Sequence, residues 1–323
     1  MIYNRILSVL LLSLGLLSCN SSKRDRGVPT VGFIEAFEDA TITDARKGFM
    51  DALAKEGYSE KKKSIAVIHR NAQGDMNTMN QIVSFMQSEG VDCIGTSTTL
   101  STLSAVQRIK DIPIFMCVTA MPKILGLEDE KGKKPANLSG VGENLNYIDT
   151  SFAIIKHIVK PRKKQLRIGM IYNQAEPQSV DAFNRLEKLA KEQQVDLIAL
   201  PLNTSADAQL VVRGLLNRRI DAFFANPDNT VFAAFETILN NCDKNNVPVF
   251  TSEVGLVKRG AVAAYGADIY QWGYQAGEMA ASFLKKGKRA DLKVEEVRIR
   301  KRVYNEEVAK RYGFKFDNNF ESL

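Results

Sequence analysis

The sequence predicts an α/β protein built as two doubly wound parallel-sheet lobes sharing a hinge that the chain crosses several times. Three observations carry this reading. Short apolar runs alternate with helical patterns along most of the 323 residues, the rhythm of parallel sheets covered on both faces. The rhythm breaks between Met121 and Tyr147, where a charged loop from Gly126 to Asn137 leads into the glycine-punctuated stretch Leu138–Leu145. Polar clusters follow the apolar runs, at the strand ends where open α/β sheets bind ligands.

Taken in order, Thr30–Ile34 is the first buried strand, followed by the polar loop Glu35–Asp39. Ala45, Phe49, Ala52 and Leu53 recur at helical spacing, and Gly57 ends that helix. Strands are expected next at Ser64–Ile68, Val91–Gly95 and Ile112–Val118, with helices at Asp75–Ser88 and Thr102–Lys110 between them. Beyond the break, strands at Leu166–Tyr172, Val195–Leu200, Ile220–Ala225 and Val247–Thr251 alternate with helices at Asp181–Glu192, Ala206–Asn217 and Val231–Asn241. The extended stretches Leu138–Leu145, Val262–Asp268 and Val294–Ile299 read as crossings between lobes, with helices at Tyr270–Leu284 and Asn305–Tyr312 after the second and third. One lobe then comprises residues 29–142 plus 266–292, and the other 143–265 plus 293–323. A cleft between two hinged lobes is the natural place for a small ligand.

The N-terminus reads as an export signal. Arg5 supplies the positive charge, and Ile6 to Leu17 forms an apolar run too short for the roughly 20 residues that span a bilayer. The run ends at Leu16-Leu17-Ser18-Cys19, which resembles a bacterial lipobox with Cys19 as the lipidated residue. Residues 1–18 would be the signal peptide and 19–28 a polar tether to the membrane; a plain signal peptide with an incidental Cys is the alternative. Net charge is +7, and removing Arg5 with the signal leaves 7 − 1 = +6. The basic residues (Lys61–Lys63, Lys163-Lys164, Arg298 to Arg302) are scattered without interleaved aromatics, so no nucleic-acid partner is expected. After Cys19 an odd set remains, Cys93, Cys117 and Cys242, expected as buried free thiols with a Cys93–Cys117 bridge as the lesser alternative. No spacing points to a metal, no cofactor motif is present, and the two histidines, His69 and His157, lack sequence-near catalytic partners. Asp228 and Glu253 are the one acid pair that could serve acid–base chemistry, the weakest of the readings.

What remains is a ring of polar groups at strand ends. Thr96–Ser101 sits at a helix start, where hydroxyls and free N–H groups suit a carboxylate or simply cap the helix. Asn173 to Ser179, with Glu176, lies at the corresponding place in the second lobe. Asp228, within Asn226–Val231, could cap the helix that follows or meet a ligand ammonium group; Glu253 follows the next strand. Together the clusters favour a zwitterion clamp, Asp228 facing Thr98, Thr99 and Ser101 across the cleft, with Phe37, Phe232 and Trp272 as candidate aromatic walls.

Asn71-Ala-Gln-Gly-Asp75, Asp228-Asn-Thr-Val231, Val257-Lys-Arg-Gly-Ala261 and Gly277-Glu-Met-Ala280, with Asp44–Phe49, Asp111–Pro113, Ser139–Val141, Ile171–Asn173 and Ala309–Gly313 in order, resemble the solute-binding lipoproteins of tryptophan/tyrosine ABC uptake, the TrpX-like family. The resemblance runs from about Pro29 to Phe316. It implies a type I periplasmic-binding-protein fold, no enzymatic turnover, and delivery of a small ligand, an aromatic amino acid in the best-known cases, to a membrane ABC permease. It implies Thr99, Asn173, Glu176, Ser179, Asp228 and Glu253 as binding positions, in a monomer tethered by lipid. The chain departs from the family at Ala120, where an acid is common, at Leu100 in place of a frequent Pro, and in the order Asn226-Pro227. A purine-nucleoside receptor and a sensory receptor without a permease are the competing readings.

Overall fold

The computed structural model describes residues 27–287 and 292–323, so the signal and lipidation motifs through Arg26, Cys19 included, lie outside the described residues. Two sheets organise the chain. The first takes β1 (Thr30–Glu35), β2 (Ala66–Asn71), β3 (Cys93–Ser97), β4 (Ile114–Cys117), β5 (Leu138–Gly142) and β11 (Val294–Glu296) in the order β11-β5-β4-β3-β1-β2, all parallel. The second takes β6 (Arg167–Tyr172), β7 (Asp196–Pro201), β8 (Ala222–Ala225), β9 (Val249–Thr251), β10 (Ala263–Ala267), β12 (Arg300–Tyr304) and β13 (Glu321–Ser322) in the order β13-β12-β10-β9-β8-β6-β7. Its β12 is antiparallel to β10; the other pairs are parallel. The run 2-1-3-4-5 in one sheet is matched by 7-6-8-9-10 in the other. The order therefore reverses beside β1 and beside β6, and ligands of such sheets sit at that reversal, off the carboxyl ends of the strands.

Helices follow the strands as the capping chemistry directs. In the first lobe these are α1 (Ala40–Lys55), α2 (Met76–Ser88) and α3 (Thr99–Arg108). In the second they are α4 (Tyr147–Ile158), α5 (Pro177–Gln193), α6 (Ala208–Leu216), α7 (Asn229–Ala233), α8 (Phe235–Lys244) and α9 (Val254–Lys258). α10 (Ile269–Lys286) and α11 (Glu306–Tyr312) follow. Asp39, Asp75, Asp228, Asp268 and Asn305 each precede a helix and accept first-turn N–H groups, worth about 1 kcal/mol apiece. α10 packs on α1 backbone to backbone. A Cβ on Gly48 would lie 2.0 Å from the Tyr270 carbonyl oxygen, and one on Gly273 1.9 Å from that of Ala45, so only glycine permits this crossing.

Four segments differ from the sequence reading. Leu138–Gly142 and Ala263–Ala267 are not bare crossings but strands of the first and second sheet, because their small residues let neighbouring strands approach while Val141 and Ala264 pack in the core. Val294–Glu296, assigned by sequence to the second lobe, pairs with β5 in the first sheet, and the chain changes sheets only at 297–299. The helix expected over Val231–Asn241 is broken at Ala234 (φ −100°, ψ 5°), so Phe232 and Phe235 leave the segment at different angles and both are buried. The thiols of Cys93, Cys117 and Cys242 are buried and free, and burial pushes that of Cys117 up to about 12. Among the described residues, no helix is long and apolar enough to cross a membrane, and no group of His, Cys, Asp or Glu could hold a metal.

The passages between sheets are bound to one another. Glu143, in the first passage, is fully buried and takes Arg300, at the third, in a two-pronged ion pair with Nε–Oε2 at 2.9 Å and Nη2–Oε1 at 2.7 Å. Asp268, in the second passage, pairs with Lys301 at 2.9 Å and donates its N–H to the Ile299 carbonyl at 3.1 Å. Burial still holds the Glu143 carboxyl above its usual range, against the pull of Arg300. Arg300→Gln strands that carboxylate and should cost about 3 kcal/mol in urea denaturation, whereas Glu143→Gln/Arg300→Gln should recover much of the loss.

Candidate functional site

A small cavity lies between the lobes at the strand-order reversals. The first lobe contributes Ile42 from the first turn of α1, Thr98 at the start of α3, Val118, Thr119 and Ala120 after β4, and Trp272 of α10. The second contributes Tyr147 of α4, Gln178 of α5, Pro227, Asn229 and Phe232 after β8, and Glu253 after β9; Glu143 and Leu145 come from the first passage. The lobes are closed on it: the Thr99 hydroxyl donates to Gln178 Oε1 at 2.5 Å across the cleft and pairs with the Thr119 hydroxyl at 3.0 Å. The indole N–H of Trp272 is satisfied by the Val141 carbonyl at 2.9 Å.

Backbone strain concentrates here. Thr98 (φ 81°), Val118 (φ 51°) and Leu145 (φ 65°) all have positive φ, two of them β-branched, and all three line the cavity. Thr98 also has ψ 165°, a region essentially reserved for glycine. Among the described residues its buried hydroxyl has no hydrogen-bond partner, and no side chain caps the first turn of α3. A ten-residue helix start with an unspent hydroxyl is suited to an anion.

The opposite chemistry gathers around Glu253. Its carboxyl accepts from the Tyr147 hydroxyl at 2.8 Å and lies 3.3 Å from that of Ser252. Burial pushes Glu253 up to about 8 and Tyr147 well above its usual range.

The residues expected from sequence divide into those on the cavity wall and those behind it. Thr98, Glu253, Phe232 and Trp272 line the cavity. Thr99 sits one step back, in the cross-cleft bond, and the Ser101 hydroxyl is turned to the carbonyls of Ser97 and Thr98 at 2.6 and 3.1 Å. Phe37 belongs to the hydrophobic core and is not on the wall. Asp228 is fully buried and not among the lining residues. Its Oδ1 caps α7 through Val231 N–H at 2.9 Å, while Oδ2 accepts from Asn173 N–H at 2.7 Å and from the Ser179 hydroxyl. Glu176 is taken up likewise by Asn229, through its backbone N–H at 3.1 Å and its side-chain amide at 2.7 Å, with Thr230 and Asn173 at 3.3 Å. The expected ammonium acceptor therefore has the capping role, because its lone pairs are already committed to the ends of β6 and β8. Burial raises both carboxyls, and for Glu176 the neighbouring Asp228 adds to it.

Sequence reasoning missed Ile42, Val118, Glu143, Leu145, Tyr147 and Gln178. Glu143 had a signal, a lone acid inside an apolar, glycine-rich stretch, where a charge is rarely placed without use. His69, read as a plain histidine, meets Glu35 at 2.6 Å on the adjacent strand, with Arg46 at 3.1 Å on the other carboxylate oxygen.

Two hinged α/β lobes closed on a cavity that both line define a ligand-capturing binding protein. The chain belongs to the ABC transporter substrate binding protein family, whose sequence model matches residues 30–321. A tyrosine-binding protein of Clostridioides difficile is 30% identical over 280 residues, covering 87% of this chain and 79% of that one. The L-Trp complex of an ABC domain from Streptococcus pneumoniae superposes with a TM-score of 0.81 at 22% identity, covering 90% of this chain and 96% of that one. A ligand-free, open substrate-binding protein with adhesive properties from Clostridium difficile gives 0.67 at 27% identity, covering 92% and 99%. The type I periplasmic-binding-protein fold expected from the resemblance is thus the fold observed.

Asp228→Ala removes a cap and takes the carboxylate acceptor from the Asn173 N–H and the Ser179 hydroxyl, which keep their 3.1 Å contact with each other, so it should cost about 2 kcal/mol in chemical denaturation. Glu253 gives a pH signature. Its folded pKa stands above the ordinary 4.5, so the folded state holds an extra proton between about 4.5 and 8. The stability it contributes is present below that window and lost as pH rises through about 8. Melting temperatures at pH 5 and pH 9 should differ less in Glu253→Gln than in the parent.

Proposed function

We propose that the protein captures an aromatic amino acid, tyrosine or tryptophan, outside the cytoplasm and hands it to an ABC permease without chemical change. The observation that carries the reading is the division of one cavity wall into three chemistries. Ile42, Phe232 and Trp272 offer apolar faces for a ring, and the start of α3 with the Thr98 hydroxyl suits a carboxylate. Glu253 with Tyr147 suits an ammonium group. The tyrosine-binding relative and the L-Trp-bound neighbour support the ligand class. With Ala120 at the position where the family pattern commonly has an acid, the acids among the lining residues are Glu253 and the Arg300-bound Glu143. Asp228, Glu176, Asn173 and Ser179 serve the site by fixing the loop that presents Pro227 and Asn229. The protein works as a monomer, held at the membrane through lipid on Cys19.

A thermal-shift screen of free amino acids and nucleosides tests this. L-tyrosine or L-tryptophan should stabilise the chain by about 2.7 kcal/mol at 100 times Kd, and a nucleoside acting where no amino acid does would sink the proposal. Glu253→Gln should weaken binding about tenfold or more by removing the charged acceptor. An ammonium group draws Glu253 into its ionised form, so binding near pH 7 should release a proton and tighten as pH rises toward about 8. Calorimetry in buffers of different ionisation enthalpy measures that proton.

A further inference from the structure

The lobes also meet outside the cavity, where α1 faces α9. Asp39 Oδ2 and Arg259 Nη1 join at 2.5 Å, bridging residues 220 apart in sequence. Each partner is held by its own lobe. Asp39 Oδ1 accepts the N–H groups of Thr41 and Ile42 at 2.8 and 3.1 Å, which leaves Oδ2 for the other lobe. The Arg259 guanidinium is gripped by Glu236, with Nε–Oε1 and Nη2–Oε2 both at 2.9 Å, and lies 5.1 Å from the centre of the Phe235 ring. The arginine side chain is 17% exposed and the aspartate 4%, so the pair is largely withdrawn from water. Beside it Gly255 presses on Thr41, where a Cβ would stand 2.0 Å from Thr41 Cγ2. Closure at this point needs glycine.

We infer that Asp39 and Arg259 are positioning residues, a latch that holds the closed lobes over the ligand and sets how long it stays. Neither lines the cavity, but each is one step from a wall. Asp39 caps the turn that carries Ile42, and Arg259 Nη2 donates to the Phe232 carbonyl at 3.4 Å. Ile42 and Phe232 are walls from opposite lobes, so a ligand between them and the ion pair behind them favour the same closed arrangement, and each strengthens the other equally. Partners already fixed in place lose little side-chain freedom on meeting, unlike an ordinary surface pair.

The latch rests on the amino-acid reading only for its probes, L-tyrosine and L-tryptophan, tested on the full chain by stopped flow. Asp39→Asn keeps a capping oxygen and loses the charge; Arg259→Gln removes the other partner. Each should speed dissociation about tenfold and leave association within about twofold, and the double variant should be no faster than the faster single one. A merely structural role would lower the melting temperature without this split. Unchanged dissociation in both singles, slowed association alone, or effects that multiply in the double variant would overturn the latch. A second measurement needs no ligand. Small-angle X-ray scattering on the ligand-free chain reports how far the lobes are closed. Asp39→Asn and Arg259→Gln should each raise the radius of gyration of the free chain toward the open form; an unchanged radius in both would overturn the latch. If neither amino acid bound the parent chain, the amino-acid reading would fall and the scattering would still decide the latch.

Discussion

The Glu143–Arg300 pair is the constraint on which hinge and cavity both depend. A carboxylate this deeply buried is costly unless its charge is met, and Arg300 meets both oxygens from the far passage of the hinge. The pair therefore ties together two chain segments that must bend when the lobes move. It also occupies the acid of Glu143, the first of two glutamates that border the cavity. Among the described residues Glu253 has no cation in contact: its partners are the hydroxyls of Tyr147 and Ser252, and burial leaves it inclined to keep its proton. The two acids differ because one already has its counter-charge and the other does not.

A second set of buried carboxylates works differently. Asp228 and Glu176 are surrounded by N–H groups and hydroxyls that belong to the strand ends and helix starts themselves. These bonds replace the water the acids lose and lock the loop between Asn226 and Thr230 against the loop after β6. The cost of burying two acids becomes rigidity of one cavity wall, from which Pro227 and Asn229 project. Preorganisation of that kind suits a site that must recognise a small ligand on first contact.

Much of this was legible in the sequence. Alternating apolar runs located β1 to β4 and β6 to β9 within a few residues, because both faces of these strands are covered and the runs are continuous. The polar strand ends located the cavity, since the sheet-order reversal puts ligands at those ends whatever the residues are. Less legible was which polar side chain points where. Asp228 and Glu253 both follow buried strands, yet one begins a helix whose first turn consumes it and the other does not cap its helix. That difference lies in the register between β6, β8 and β9, which a single strand cannot show. β5 and β10 looked like connectors because their glycines and alanines dilute the apolar pattern, and the α1–α10 crossing depends on contacts between residues far apart in the chain.

The backbone at Thr98 is strained where it borders the cavity. Its φ and ψ suit glycine, and a glycine there would relieve strain on the order of 1–3 kcal/mol. A threonine in that conformation retains a buried hydroxyl that no group among the described residues uses. Val118 and Leu145, also at positive φ on the same cavity, repeat the pattern with apolar side chains. Three side chains are thus held where a smaller residue would sit more easily, and what they share is the cavity they face. Strain maintained at one place by the surrounding lobes is better explained by what the side chains present to a ligand than by any contribution to the fold. On the same grounds the Thr98 hydroxyl, rather than the already bonded hydroxyls of Thr99 and Ser101, is the group at the start of α3 with a hydrogen bond left to give.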